Sequence, residues 1–304
     1  MALTVDLTNV VREYRTGGHV VRALNRVTLR INGGEFTSIV GPSGAGKSTM
    51  LQLLGALDSP DSGSIQFNGT EIATMTDEQQ STFRRHQVGF VFQFFNLLPT
   101  LTAWENVALP MLLDGKRLRG VRSNAVALLD RVGLGDRVDH RPAELSGGQM
   151  QRVAVARALM MDPPLILADE PTGNLDSATG AAIMDLLRDV SRTDGAGRAV
   201  IMVTHDLAAA AQTDRVITVQ DGAVRSDTAG GAGTSSTAGG AGTSRTAGGA
   251  PHPPRRVPDA GRHAVGVREQ PTEVIPTVRH GEFTSQVVVT GPPRRRGKHS
   301  AHRR

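Results

Sequence analysis

Two short segments of this 304-residue sequence carry side chains suited to phosphate chemistry. The first is GPSGAGKST, which fits the pattern G-x-x-x-x-G-K-[ST]. Its glycines let backbone N–H groups turn inward around phosphate oxygens, and a following helix would direct its positive N-terminus at the same anion. Lys47 would then reach the β- and γ-phosphates, and Ser48 would bind Mg²⁺ through its hydroxyl. The segment predicts a phosphate site formed by Gly41, Pro42, Ser43, Gly44, Ala45, Gly46, Lys47, Ser48 and Thr49.

The second segment, LILADE at Leu165–Glu170, places two adjacent carboxylates after a short apolar run. Such a run is typical of a strand buried on both faces, and α/β sheets bind ligands at the carboxyl ends of their strands. Asp169 would hold Mg²⁺ through water, and Glu170 would act as a general base or orient the water that attacks the γ-phosphate. Alone, the pair could be an exposed acidic loop. Its place after a phosphate loop favours a catalytic interpretation.

The elements that would position these groups can be read from the hydrophobic pattern of residues 1–225. A helix is predicted at Lys47–Leu57, and strands at Val5–Val10, Ala23–Ile31, Phe36–Val40, Leu165–Ala168 and Val200–Val203. This alternation predicts an α/β sheet covered by helices. Between about residues 77 and 161 the pattern becomes mostly helical and predicts an insert with helices at Asp77–Arg85, Ala103–Leu113, Val121–Val132 and Gln149–Met161.

Further motifs surround the two phosphate segments in a fixed order. LSGGQ precedes the acidic pair and GNLD follows it, while Gln93 lies in VGFVFQFF and His205 in IMVTHDL. Together with the phosphate loop these motifs resemble the ATP-binding cassette (ABC) family over about residues 3–225. The resemblance implies an α/β fold, with a P-loop NTPase core, an antiparallel β subdomain and an inserted helical subdomain, that binds ATP and Mg²⁺.

The resemblance also implies a role for each motif. It assigns catalysis to Lys47, Gln93, Glu170 and His205, and Mg²⁺ binding to Ser48, Gln93 and Asp169. It implies a head-to-tail homodimer closed by ATP, in which Asp176 works across the interface and each ATP also meets the partner's LSGGQ motif, residues Leu145, Ser146, Gly147, Gly148 and Gln149. Tyr14, the only tyrosine, would stack on adenine. Outside the family, Tyr14 and His205 would be read as structural residues and Gln93 as a polar break in an apolar run.

Several stretches, among them LLGALDSPDSG and LADEPTGNLDS, more narrowly resemble the macrolide-exporter and lipoprotein-release branch of the family. In that branch the ATPase serves a separate FtsX-like permease, which implies a cytoplasmic protein held on the inner face of the cell membrane. Phe94, Phe95, Leu97 and Leu98 could contact the permease or could be core of the helical insert. One alternative is a soluble cassette ATPase acting on nucleic acid or ribosomes. Another is a regulatory nucleotide-binding module without turnover.

The C-terminal segment, residues 226–304, has a different composition. A nine-residue Gly/Ala/Thr/Ser repeat opens it, and 12 of the 34 Lys and Arg residues but only 5 of the 29 Asp and Glu residues lie in it, which gives it a net charge of +7. So little apolar area predicts a disordered tail. Three interpretations stay open: an inert extension, a polybasic contact with anionic lipid, or a segment that binds nucleic acid or a protein. The rest of the chain has a net charge of −2, so no specific nucleic-acid binding is expected of it.

Absent features also limit the possible functions. The sequence has no cysteine, which excludes disulfides, Cys-ligated zinc and iron–sulfur clusters. No apolar run approaches the roughly 18 residues that span a bilayer, and MALTVDLTNVVREY lacks the pattern of a signal peptide. We therefore expect the protein to stay in the cytosol and, if it works at a membrane, to be held there by a partner protein.

Overall fold

The computed structural model describes residues 3–16, 19–192 and 197–229. The tail was predicted at residues 226–304, and all of it except residues 226–229 lies outside these ranges. Within the described residues the chain forms ten strands, seven α-helices and one 3₁₀ turn, arranged as two sheets with helices around them. The α/β fold predicted for residues 1–225 is confirmed.

The smaller sheet is antiparallel and has the order β2-β1-β4-β5. Its strands are β1 (Thr4–Thr16), β2 (His19–Asn32), β4 (Ser62–Phe67) and β5 (Thr70–Glu71). β1 and β2 continue well beyond the predicted Val5–Val10 and Ala23–Ile31 because β1 bulges at several points and keeps pairing with β2 as far as Thr16 and His19. This extension carries Tyr14 out along the sheet.

The larger sheet has the order β10-β9-β3-β8-β7-β6. Its strands are β3 (Phe36–Val40), β6 (Val88–Val91), β7 (Leu165–Asp169), β8 (Ala199–Val203), β9 (Arg215–Gln220) and β10 (Ala223–Ala229). All neighbouring strands are parallel except β9 and β10, which form an antiparallel hairpin. Every residue of β3 and β8 is buried, and β8 is apolar throughout, as expected for a strand covered on both faces.

The helices are α1 (Lys47–Leu54), α2 (Asp77–Gln87), α3 (Ala103–Leu113), α4 (Leu118–Arg131), α5 (Gly147–Leu159), α6 (Ser177–Arg192) and α7 (Leu207–Ala210), and the 3₁₀ turn is Pro142–Glu144. Helix α1 packs in a core shared by the two sheets, whereas α5 and α6 cover the larger sheet. Helices α3, α4 and α5 enclose a third core that includes Trp104, Val107 and Leu129.

The helical insert differs in detail from the expected 77–161. Strand β6 lies inside that range, yet it pairs with β7 in the larger sheet. Helix α2 also belongs to the main body, because Phe83 packs edge-on against Phe67 of the smaller sheet with 5.0 Å between ring centroids. The helices with a core of their own begin at Ala103, after β6. A four-residue strand among apolar residues has no periodicity that would separate it from a helix.

Candidate functional site

The phosphate loop joins β3 to α1, as predicted. Gly46 is the N-cap of α1 and has φ 100°, while Gly41 has φ 156°. A Cβ atom at Gly41 would lie 2.0 Å from the carbonyl oxygen of Val219, and one at Gly46 would lie 2.2 Å from that of Ala23. The backbone therefore runs against β9 and β2 at these two points, and glycine is required there.

Lys47 is the first residue of α1 and is almost completely buried. Its Nζ donates hydrogen bonds to the carbonyl oxygens of Gly41 at 2.8 Å and Pro42 at 3.0 Å. The ammonium group is thus folded back along the loop that the motif assigns to phosphate. A long, flexible side chain can exchange these carbonyl partners for phosphate oxygens without movement of the helix.

The acidic pair lies where β7 ends, as predicted, next to the end of β8. Glu170 Oε1 accepts a hydrogen bond from the His205 backbone N–H at 3.1 Å and is 2.8 Å from His205 Nδ1. Glu170 Oε2 accepts a hydrogen bond from the Thr204 hydroxyl at 3.2 Å. Glu170 itself has φ 44°, in the left-handed region. These contacts fix the carboxylate. The left-handed backbone is one that a non-glycine residue adopts only where its surroundings hold it there.

Asp169 is the residue of the pair whose pKa is raised. Burial and the negative charge of Glu170 raise the pKa of the Asp169 carboxyl, and the positive charge of Lys47 opposes them. A carboxylate that is partly buried beside a second carboxylate favours a cation nearby. Among the described residues, no group of three or more His, Cys, Asp or Glu side chains could hold a metal ion.

One cavity of about 430 Å³ brings most of the predicted residues together. Its lining includes the following predicted residues: Tyr14, Ser43, Gly44, Gly46, Lys47, Ser48, Thr49, Gln93, Asp169, Glu170 and His205. Gly41, Pro42 and Ala45 belong to the loop without lining the cavity. Two larger cavities, of about 830 and 630 Å³, lie elsewhere on the described part of the chain. Their walls lack the phosphate loop and the acidic pair, so chemistry rather than size identifies the site.

The LSGGQ motif forms the start of α5 and does not line this cavity. Ser146 caps the helix, because its Oγ accepts a hydrogen bond from Gln149 N at 3.3 Å while Gln149 Oε1 accepts one from Ser146 N at 2.9 Å. Leu145 is buried among the helical core and Ser146 is exposed. The motif thus presents a helix N-terminus on the surface of the single chain and does not line the cavity formed by its own phosphate loop.

Asp176 also lies outside the cavity and directly precedes α6. Its carboxylate accepts hydrogen bonds from the Thr179 hydroxyl at 2.7 Å and from the backbone N–H groups of Thr179 and Ala178 at 3.0 and 3.1 Å. These hydrogen bonds lower the pKa of Asp176, and the one from the Thr179 hydroxyl has the largest effect. Within one chain, then, Asp176 is a helix cap.

The sequence did not reveal three residues whose side chains bind predicted site residues or the loop next to Gln93. Asp58 accepts a hydrogen bond from Tyr14, and Asn174 Nδ2 donates one to the Gln93 carbonyl oxygen at 3.0 Å. Arg157 of α5 donates to the carbonyl oxygens of Phe95 and Asn96, two residues with φ of 60° and 50°. A signal was present for Arg157, since it interrupts the apolar pattern of VAVARAL. Asp58 gave none, because its contact joins residues 44 positions apart.

Comparison with known proteins gives one family. The family model described as ABC transporter matches residues 24–173. An uncharacterized ABC transporter ATP-binding protein of Thermotoga maritima is 45% identical over 224 residues, which are 74% of this chain and 94% of that protein. The protein MJ0796 of Methanocaldococcus jannaschii, with a similar description, is 45% identical over 230 residues, or 73% of this chain and 96% of that one.

Longer relatives match through only part of their length. A macrolide export ATP-binding/permease protein, MacB, of Chlorobaculum tepidum is 47% identical over 223 residues, or 73% of this chain and 34% of the relative. The chain therefore spans about a third of the MacB relatives. A dimeric MJ0796 structure in a post-hydrolysis state bound to ADP and Pi has a TM-score of 0.68 and 43% identity, and the match covers 74% of this chain and 98% of that one.

Proposed function

Because the chain belongs to the ABC transporter ATP-binding family, we propose that it hydrolyses ATP and drives a separate membrane permease of the export or lipoprotein-release type. The observation that carries the proposal is the single cavity that combines the phosphate loop with Gln93, Asp169, Glu170 and His205. A phosphate-binding loop alone supports binding. A partly buried carboxylate in the same cavity as that loop supports turnover.

In the proposed reaction the loop N–H groups and Lys47 hold the phosphates, and Glu170 accepts a proton from, or orients, the attacking water. The Glu170 side chain is 16% exposed and is held by His205 and Thr204, so its carboxylate has little freedom to turn away. The His205 side chain is 73% exposed and can reach a γ-phosphate as well as Glu170. We propose that His205 senses that phosphate and keeps Glu170 in place. Gln93, which lines the same cavity, would contact the water.

We propose that Mg²⁺ accompanies the ATP and is held by Ser48, Gln93 and Asp169. These side chains supply hydroxyl, amide and carboxylate oxygens, the kind of ligand that this ion prefers. The raised pKa of Asp169 supports the assignment, because a cation would offset the repulsion between Asp169 and Glu170. Bound there, the ion would neutralise charge that develops on the transferred phosphoryl group.

We propose that two copies close head to tail around ATP. The LSGGQ motif and Asp176 lie outside the cavity of their own chain, while the N-terminal N–H groups of α5 start at an exposed serine. A second copy would place these groups against the exposed γ-phosphate, as an anion site at a helix N-terminus. The dimeric structures of MJ0796, which is 43–44% identical, support this assembly.

The permease would bind in a groove of about 630 Å³ between α2, β6, α3 and α5. Leu113 at the edge of the groove and Phe94 beside it are 72% and 73% exposed, and Arg84, Arg85 and Arg157 are in its wall. We propose that a cytoplasmic segment of the permease, with apolar and acidic side chains, occupies it and keeps the chain at the inner face of the membrane. Of the four residues predicted for this contact, Leu97 packs in the helical core, whereas Phe94 and Leu98 are exposed.

The MacB relatives support a permease partner. Their name combines an ATP-binding part with a permease, and this chain aligns with 34% of their length. No helix among the described residues is both long and apolar enough to cross a membrane.

Glu170→Gln tests the proposed function. We expect the turnover number to fall by about 10²–10⁴, the usual contribution of a general base, while ATP binding persists and an ATP-bound dimer accumulates on size-exclusion chromatography. Thr204→Val is the matched control, because it removes one hydrogen bond to Glu170 and leaves the carboxylate. Unchanged hydrolysis in Glu170→Gln would contradict the role of Glu170.

The same Glu170→Gln protein, purified with ATP from membranes in mild detergent, tests the partner. We expect one integral-membrane permease with few spans and a large extracytoplasmic domain, identified by mass spectrometry. Leu113→Glu, which puts a charge at the edge of the groove, should abolish recovery of that permease and leave ATP binding intact. Recovery of ribosomes or nucleic acid without a permease would contradict the proposal.

A further inference from the structure

Arg12, Tyr14 and Asp58 form a connected group at one end of the cavity, which we call the tyrosine clamp. Tyr14 donates its hydroxyl hydrogen to Asp58 Oδ2 at 2.8 Å. Arg12 donates to both oxygens of the same carboxylate, from Nε at 2.9 Å and from Nη2 at 2.7 Å. Arg12 Cζ also lies 4.9 Å from the centroid of the Tyr14 ring. The ring is therefore held at its hydroxyl and against one face.

The side chain of Tyr14 also borders the cavity. Tyr14 lines the cavity together with Val21, its partner across β1 and β2, whereas Arg12 does not line it. The guanidinium thus contacts the ring without lining the cavity. An aromatic ring that borders the cavity is a platform for a planar base.

The clamp also connects the two ends of the cavity. Asp58 lies four residues beyond Leu54, the last residue of α1, and α1 begins at Lys47 in the phosphate loop. Gly55 N and Leu57 N donate to the carbonyl oxygens of Leu51 and Gln52, so the chain between α1 and Asp58 is tied to the helix. The position of the ring is thereby set relative to the loop that holds the phosphates.

We infer that Asp58 and Arg12 are positioning residues, which hold Tyr14 at the distance from the phosphate loop that an adenine nucleotide requires. The inference rests on the proposed function, because it assumes that ATP occupies this cavity. It assigns to Asp58 control over the nucleoside end of the ligand and none over the phosphate end. A ring that has lost this partner has to be ordered on each binding event, which weakens binding without changing the chemical step.

The first test compares the kinetics of Asp58→Asn and Asp58→Ala with those of the wild-type chain. We expect the KM for ATP to rise about three- to tenfold, as when part of a base–aromatic stack is lost, with kcat at saturating ATP within about twofold of wild type. Inorganic tripolyphosphate, which has no base, should inhibit all three proteins equally. The KM of Arg12→Lys should lie between those of the wild type and the Asp58 variants, because lysine keeps the positive charge but cannot bind both carboxylate oxygens as the guanidinium does.

Asp61→Asn is the matched control. Asp61 contacts Arg12 Nη1 at 3.3 Å and the Glu13 backbone N–H at 2.6 Å, but not Tyr14. It supports the same strand as Asp58 does, so a purely structural effect should appear in both variants. We expect the KM for ATP of Asp61→Asn to remain within about twofold of wild type.

Two readouts would not respond to a merely structural role. Tyr14 is the only tyrosine, so incorporation of 3-fluorotyrosine labels residue 14 alone. Its ¹⁹F resonance should shift in Asp58→Asn and not in Asp61→Asn. In a double-mutant cycle, Asp58→Ala should add less than twofold to the KM of Tyr14→Ala, because Asp58 acts through the ring.

Three results would overturn the inference: an unchanged KM in both Asp58 variants, additive effects of Asp58→Ala and Tyr14→Ala, or an equal loss of affinity for tripolyphosphate. Asp58→Asn preserves the shape of the side chain, so it serves if Asp58→Ala fails to fold. Failure of the proposed function looks different, because then the wild-type chain itself would show no ATP turnover.

Discussion

At the scale of single residues, Asp169 destabilises the fold at neutral pH. Its pKa is raised by burial and by Glu170, against the charge of Lys47, so the folded state binds the proton more tightly than the unfolded state does. The ionised form therefore costs stability above the raised pKa, and this cost disappears as the pH falls below the ordinary aspartate pKa of about 3.9. A residue that weakens the fold at its working charge is typical of a functional site.

Asp169→Asn should accordingly raise the Tm of the protein without nucleotide while it abolishes Mg²⁺-dependent turnover. Because the side chain is only partly buried and solvent screens its charge, we expect a rise of about 1–3 °C at neutral pH that shrinks towards zero near pH 4. Differential scanning fluorimetry across that pH range measures it. Asp185→Asn is the control at an exposed carboxylate, and a lower Tm for Asp169→Asn at neutral pH would refute the assigned cause.

At the scale of elements, Arg157 joins α5 to the loop that carries Gln93. Its two hydrogen bonds go to Phe95 and Asn96, which have left-handed backbones, and Asn174 holds the same loop at Gln93. Burial lowers the pKa of Arg157, so the guanidinium gives up solvent to make these bonds. Through Arg157 the helix that starts with LSGGQ fixes the loop between the cavity and the proposed permease groove.

Arg157→Ala should loosen that loop. Two carbonyl groups lose a charged donor, so we expect the free energy of unfolding to fall by about 1–3 kcal/mol, measured by urea denaturation. Chymotrypsin should then cleave faster near Phe94, the exposed phenylalanine of the loop. Arg152→Ala is the matched control on the same helix, because Arg152 donates one bond, to the Val132 carbonyl oxygen at 3.2 Å. Equal cleavage rates in the two variants would contradict the assigned role.

How well each element could be predicted depends on whether its signal is local. Helices α2, α3 and α5 begin at capping boxes, Thr76 with Gln79, Thr102 with Glu105 and Ser146 with Gln149, so their starts are predictable to within about two residues. Helix α4 has no side-chain cap and starts at Leu118, three residues before the predicted Val121. Strand β6 could not be predicted from its apolar sequence, because it is identified as a strand only by its pairing with β7.

The same division explains the site. The phosphate loop, Asp169 and Glu170 were predictable because a motif of adjacent residues fixes their geometry, and they do line one cavity. Asp58 and Arg157 act through partners 44 and 61 or 62 residues away, and such contacts are set by packing rather than by spacing. The in-trans roles of LSGGQ and Asp176 stay predictions, since one chain cannot bring them to its own cavity.

At the scale of the whole molecule, the folded sheet reaches into the segment that the sequence assigned to the tail. Strand β10 ends at Ala229, and Arg215 of β9 binds both oxygens of Asp227 at 2.7 Å. The hydrogen bond from Arg215 lowers the pKa of Asp227, so this pair stabilises the fold above about pH 4, the ordinary aspartate pKa, and its contribution is lost as the pH falls through the lower folded value. The boundary of the domain therefore has a measurable energetic signature.

A chain truncated after Ala229 should keep the Tm and the ATP turnover of the full chain, whereas truncation after Arg225 should lower the Tm. The shorter chain loses the Arg215–Asp227 pair and the pairing of four β10 residues with β9, which we expect to cost about 1–2 kcal/mol, or roughly 2–8 °C. Asp227→Asn in the longer truncation separates the ion pair from the strand, and its effect should fade below pH 4. Equal Tm values for the two truncations would show that residues 226–229 do not stabilise the fold. Lost turnover in the longer truncation would instead give the tail a part in hydrolysis, which the cavity does not require because all its lining residues precede residue 206.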